Sequence, residues 1–143
     1  MSGKRIIRAL CAGVALSLTA SAVMGQSGTL NLELNKLEAA PDNSCRMFFL
    51  FRNDTETSFE AFEMSLAILD GQGVIDRVLS VDAAPLPAGR TMLKLFDISG
   101  MDCGAVSEVL LHDIPACQPQ NGTAMDCFPL IKLESRAAAR FFY

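Results

Sequence analysis

The sequence predicts an all-β protein, a sandwich or barrel of seven or eight short strands. Two observations carry that reading. Apolar residues recur at every second position in several runs, and Gly, Pro, Asn and Asp punctuate those runs at roughly regular spacing. A third observation, four cysteines outside the first 25 residues, fits a small domain closed by disulfides.

The stretch from Phe59 to Ser99 organises the rest. Phe62, Met64, Leu66 and Ile68 alternate with Glu63, Ser65, Ala67 and Leu69, the pattern of a half-buried antiparallel strand. Asp70-Gly71-Gln72-Gly73 supplies turn chemistry, because Gly takes positive φ without a Cβ clash. A second run, Val74 to Val81, follows. The break Pro85-Leu86-Pro87-Ala88-Gly89 then leads to a third run, Thr91 to Ile98, and the three strands read as a meander. Arg77, set among Ile75, Leu79 and Val81, fits an edge or a strand with one wet face. Leu93 and Leu95 are expected to point inward.

Upstream, Leu30, Leu32 and Leu34 alternate with Asn31, Glu33 and Asn35, a short strand that stops near Leu37, before a turn at Pro41 and Asn43. Cys45 to Asn53 is the most apolar strand. Met47, Phe49 and Phe51 share one face, Phe48 and Leu50 the other, so it should be central and buried on both sides. An exposed aromatic surface for a partner is the competing reading. Downstream, Val106 to Ile114 has spacing that suits a helix turn as well as a strand, and its neighbours favour a strand. Gln118, Pro119, Gln120, Asn121, Gly122 and Thr123 form a polar excursion between Cys117 and Cys127, with turn formers at Pro119 and Asn121-Gly122. Phe128 to Leu133 and Ala137 to Phe142 supply the last strand or two.

A chain of 143 residues fits one domain. Residues 1–25 differ in kind: Lys4, Arg5 and Arg8 precede an uncharged apolar run from Ala9 to Gly25, the make-up of a secretory signal peptide. Cleavage is expected after Gly25, with Ala22 as the other candidate, leaving residues 26–143 as one domain with no stable membrane span. Cys11 should leave with the signal. Three of the 12 Lys and Arg residues and none of the 16 Asp and Glu precede Gln26, which leaves a mature balance of −7. That charge disfavours nucleic acid or anionic lipid as a partner.

Cys45, Cys103, Cys117 and Cys127 are separated by 57, 13 and 9 intervening residues. Structural zinc sites bring their ligands in close pairs, so two disulfides are expected, with three possible pairings. Catalytic constellations are missing. His112 is the single histidine, no serine sits in a G-x-S-x-G elbow, and no spaced pair of carboxylates marks a cleft. Gly71-Gln72-Gly73 lacks the third glycine of a dinucleotide fingerprint. Met47, Met64, Met92, Met101 and Met125, with His112, could suggest copper(I), but they are not clustered and read as core filling. No metal or cofactor is expected. Asn53-Asp54-Thr55 and Asn121-Gly122-Thr123 match the glycosylation tripeptide and carry no weight beside a bacterial-type signal.

The runs CRMFFLFRND and LAILDGQGVIDRVLSVDAAPLPAGRTMLKLFDI resemble small uncharacterised exported proteins of Gram-negative bacteria. The order strand, D-x-x-G turn, strand, L-x-A-G-x-[ST], strand is also similar to immunoglobulin-like or fibronectin-like domains, from about Asn31 to Ile114. The chain departs from antibody-like domains in having no Trp and four cysteines. The resemblance implies an immunoglobulin-like β-sandwich, in which the Pro/Gly corner turns the chain between sheets. In that topology Cys45 would pair with Cys103 at one end and Cys117 with Cys127 at the other. The expectation for function is an exported, periplasmic or secreted, non-enzymatic module that binds another envelope protein through a sheet edge or the Gln118–Thr123 loop. A copper-binding protein or an enzyme using His112 is the alternative.

Overall fold

Period-two patterning resolves into eight strands: β1 (Leu30–Ala40), β2 (Ser44–Asn53), β3 (Phe59–Leu69), β4 (Ile75–Asp82), β5 (Thr91–Ile98), β6 (Glu108–Pro119), β7 (Ile131–Ser135) and β8 (Arg140–Phe142). The computed structural model describes residues 28–143, and the expected signal segment lies outside them. The strands form two four-stranded sheets, ordered β5-β2-β1-β7 and β4-β3-β6-β8. Neighbours pair antiparallel except at one side of the sandwich, where β7 runs parallel to β1 and β8 parallel to β6.

The core lies between the sheets. Leu30, Leu32 and Leu34 of β1, Met47, Phe49 and Phe51 of β2, and Phe62, Met64, Leu66 and Ile68 of β3 are all buried there. Phe49 meets Phe141 edge-on at 5.4 Å between ring centroids, and Phe51 meets Phe62 at 6.3 Å, which ties the two layers together. Each such side chain stabilises the fold by about 1.5–3 kcal/mol through burial alone.

Five expectations need correction. β5 does not continue a meander: it pairs with β2 in the opposite sheet, so residues 83–90 carry the chain across the sandwich. β1 does not stop near Leu37. Leu34 pairs with Phe49 and Lys36 with Phe48, so Asn35 is the extra residue of a β-bulge and the alternation resumes after it. β2 is central but has one wet face, since Phe48 and Leu50 are only half-buried on the outer side. Leu93 and Leu95 point outward, 55% and 49% exposed, beside Leu50 and Phe48. Met92, Lys94 and Phe96 take the inner face instead. β6 also runs further than expected, through Pro115. Pro115 lies beyond β8, which covers only Glu108 to Leu110, and at the register shift of the β3 ladder between the pairs Ser65–Asp113 and Glu63–Ala116, an irregular place that suits a residue without an N–H.

β4 and β5 are edge strands on the same side of the sandwich, as Arg77 suggested for β4. Each turns one cation inward. Arg77 Nη1 donates to Ser99 O at 2.5 Å, and Lys94 Nζ donates to Ala84 O at 2.9 Å. Inward-facing charge on an edge strand discourages edge-to-edge pairing with another chain.

Candidate functional site

Three loops converge where β2 ends and β3 begins: residues 54–58, 83–90 and 120–130. Two of them wall a cleft of about 230 Å³, lined by Ser58, Phe59, Glu60, Pro85, Pro87 and Gln120. The first wall is the crossing segment. Its Ala84–Pro85 bond is cis, and Leu86 is buried and paired through backbone hydrogen bonds with Phe59 at 2.9 and 3.0 Å. Pro85 and Pro87 therefore flank an anchored residue.

Asn53 fixes that wall from beneath. Only 1% exposed, it donates from Nδ2 to Leu86 O at 3.0 Å and Thr57 O at 2.7 Å. Its Oδ1 accepts from the Thr55 backbone N and from Thr55 Oγ1. Every polar position of the amide is thus used, as a buried amide requires. The residues just before β1 close on the same loop: Gly28 has φ +112°, and a Cβ there would come within 2.4 Å of Asp54 O.

The second wall is the disulfide-closed loop. Cys117–Cys127 holds its base, with Met125 N donating to Cys117 O at 2.9 Å. Gln120 N donates to Ser58 O at 2.8 Å, and Asn121 turns the chain with φ 61°. Between the walls, Phe59 and Ala61 of β3 face Pro119 and Gln118 of β6, so Glu60 is the extra residue of a bulge. Bulges re-aim a side chain. Here Glu60 stands exposed at the cleft, its Oε1 accepting from Gln118 Nε2 at 2.8 Å.

Both disulfides form with the expected pairing, Cys45–Cys103 and Cys117–Cys127, at opposite ends of the sandwich. Of the expected loop, Gln120 lines the cleft and Gln118 braces Glu60, whereas Asn121, Gly122 and Thr123 form an exposed tip. His112 lies elsewhere, exposed where β6 bulges between Leu111 and Asp113. Met47, Met64 and Met101 are buried in the core, with Met92 and Met125 packed against it. Among the described residues, no three His, Cys, Asp or Glu side chains are grouped to hold a metal ion. Asn53, Glu60 and the two prolines were not singled out by sequence as site residues. Pro-x-Pro beside a strand start was the one visible sign.

The fold and this end together define a two-disulfide β-sandwich with a preformed cleft. No protein-family model matches the chain, and no curated protein matches its sequence. Among solved structures, the fold is similar to that of IrmA from Escherichia coli, with a TM-score of 0.58 and 13% identity, over 73% of this chain and 90% of that one. The likeness is one of fold.

Proposed function

We propose that the protein is an exported, non-enzymatic binding or accessory module of the bacterial periplasm, engaging another envelope protein through the cleft end. The carrying observation is the cleft itself, whose walls are anchored by buried Asn53 on one side and Cys117–Cys127 on the other and both hydrogen-bond to Ser58. Walls fixed before contact reduce the ordering cost of binding. The basic and apolar character of residues 1–25 and the two disulfides favour an oxidising compartment. An immunoglobulin-like assignment is part of the same reading, supported by β1, β2 and β5 in one sheet and β4, β3 and β6 in the other.

The test is a crosslinked pull-down from the cell envelope, run beside thermal unfolding. Alanine at Gln118, Gln120 and Thr123 together should weaken capture of a stoichiometric partner and leave the melting temperature nearly unchanged. Capture equal to that of the native protein would contradict a role for this loop.

A further inference from the structure

Resting on that reading, we propose that the cleft receives one basic side chain, Arg or Lys, from an extended segment of the partner. Size sets the first limit. Pockets that hold whole small molecules span about 300–1,000 Å³, and at about 230 Å³ this open cleft suits a single side chain. Lining sets the second. Pro85, Pro87 and Phe59 supply apolar lining, and Glu60, Ser58 and Gln120 supply polar lining. A side chain that joins an apolar stem to a polar head matches that mixed lining, its methylenes on the prolines and its head beside Glu60.

Charge decides the sign of the head. Glu60 has no Lys or Arg partner among the described residues, and Gln118 occupies only Oε1. On the proline side, Lys94 Nζ is already bound to Ala84 O. Ser58 Oγ accepts from Ala88 N at 3.0 Å, so it is engaged in holding the crossing segment. A carboxylate ligand would meet Glu60 and the −7 balance of residues 26–143 as repulsion. A wholly apolar ligand would leave a carboxylate aimed by a bulge without use.

The experiment is amide chemical-shift mapping of the oxidised protein with two blocked tripeptides, Gly-Arg-Gly and its norleucine counterpart. The arginine peptide should perturb residues 58–60, 85–87 and 118–120, weakly and with an affinity that falls as salt is added. Norleucine should bind at least threefold more weakly. Glu60→Gln should lower the arginine affinity by about threefold to fivefold, the scale of an exposed ion pair, and leave the norleucine affinity and the melting temperature unchanged. Equal binding of both peptides, perturbation elsewhere, or no perturbation by either would overturn the basic side chain. If the loop-alanine variant still loses its partner in that case, the binding-module reading survives and only the ligand class fails. If capture also persists, both fail.

Discussion

At one end of the sandwich, Cys45–Cys103 joins residues 58 apart in sequence, and Ile98, Met101 and Val106 are buried around it. At the other, Cys117–Cys127 joins residues 10 apart, and residues 120–124 remain exposed beside a cleft. The same crosslink chemistry does two jobs. The long-range bond fastens a connection between sheets to the core, where loss would be felt by the whole fold. The short-range bond shapes a surface, and the residues it encloses contribute little burial. Under the proposed binding role, the end that would meet a partner lies opposite the long-range crosslink.

Breaking each bond measures that separation. In the chain-entropy picture, Cys45→Ala with Cys103→Ala should cost about 4 kcal/mol, and Cys117→Ala with Cys127→Ala about 3 kcal/mol. Urea unfolding of the two double variants reads both values, and a reversed order would break the comparison. Asn53→Ala comes next. It leaves the buried Thr55 N without its acceptor and takes one hydrogen bond each from Leu86 O, which keeps Phe59 N, and from Thr57 O, which keeps Thr55 Oγ1, at a cost of about 2 kcal/mol. Because Asn53 holds the proline wall, its amide shifts should spread to residues 85–88 and leave Cys103 untouched.

A pH titration sharpens the picture at a third place. Asn35 Nδ2 donates to Glu33 Oε1 at 2.6 Å and Arg136 Nε stands 3.2 Å away, so both hold this buried carboxyl below its ordinary value, against the opposing effect of burial. A lowered folded pKa stabilises the protein above the ordinary glutamate range, and that contribution is lost as pH falls through the folded value. Glu33→Gln should flatten the acid limb of the stability profile and leave neutral-pH behaviour of the cleft intact. The smallest effect is expected at Leu93→Thr. With the side chain 55% exposed on the outer face, the change should stay within about 0.5 kcal/mol by urea unfolding.

Those places also show how far the sequence could be read. Strand positions and the two disulfides were legible because period two, turn residues and cysteine spacing are local or topological signals. The turn at Asp70–Gly73 forms as its chemistry implied, with Asp70 Oδ1 accepting from Gln72 N and Val74 N at 2.9 Å. The sheet to which β5 belongs was not legible in its own residues. A run reading TMLKLFDI offers two faces, Leu93 with Leu95 or Met92 with Phe96, and only pairing with β2 selects the second for the core. β1 was cut short for a related reason, since a bulge at Asn35 looks in sequence like the end of a strand. Half of the site was visible as the polar loop between two cysteines. Glu60 and Asn53 were not, because their roles depend on a register slip in β3 and on Leu86, 33 residues away in sequence.

Site-specific photo-crosslinking in the cell envelope distinguishes the two ends of the sandwich. One variant would carry the crosslinker at Gln120, beside the cleft, and another at Gln72, in the exposed turn at the far end. A discrete crosslinked partner is expected from position 120 and none from position 72. A partner trapped equally at both positions, or only at 72, would contradict the division of the molecule into a fastened end and a binding end.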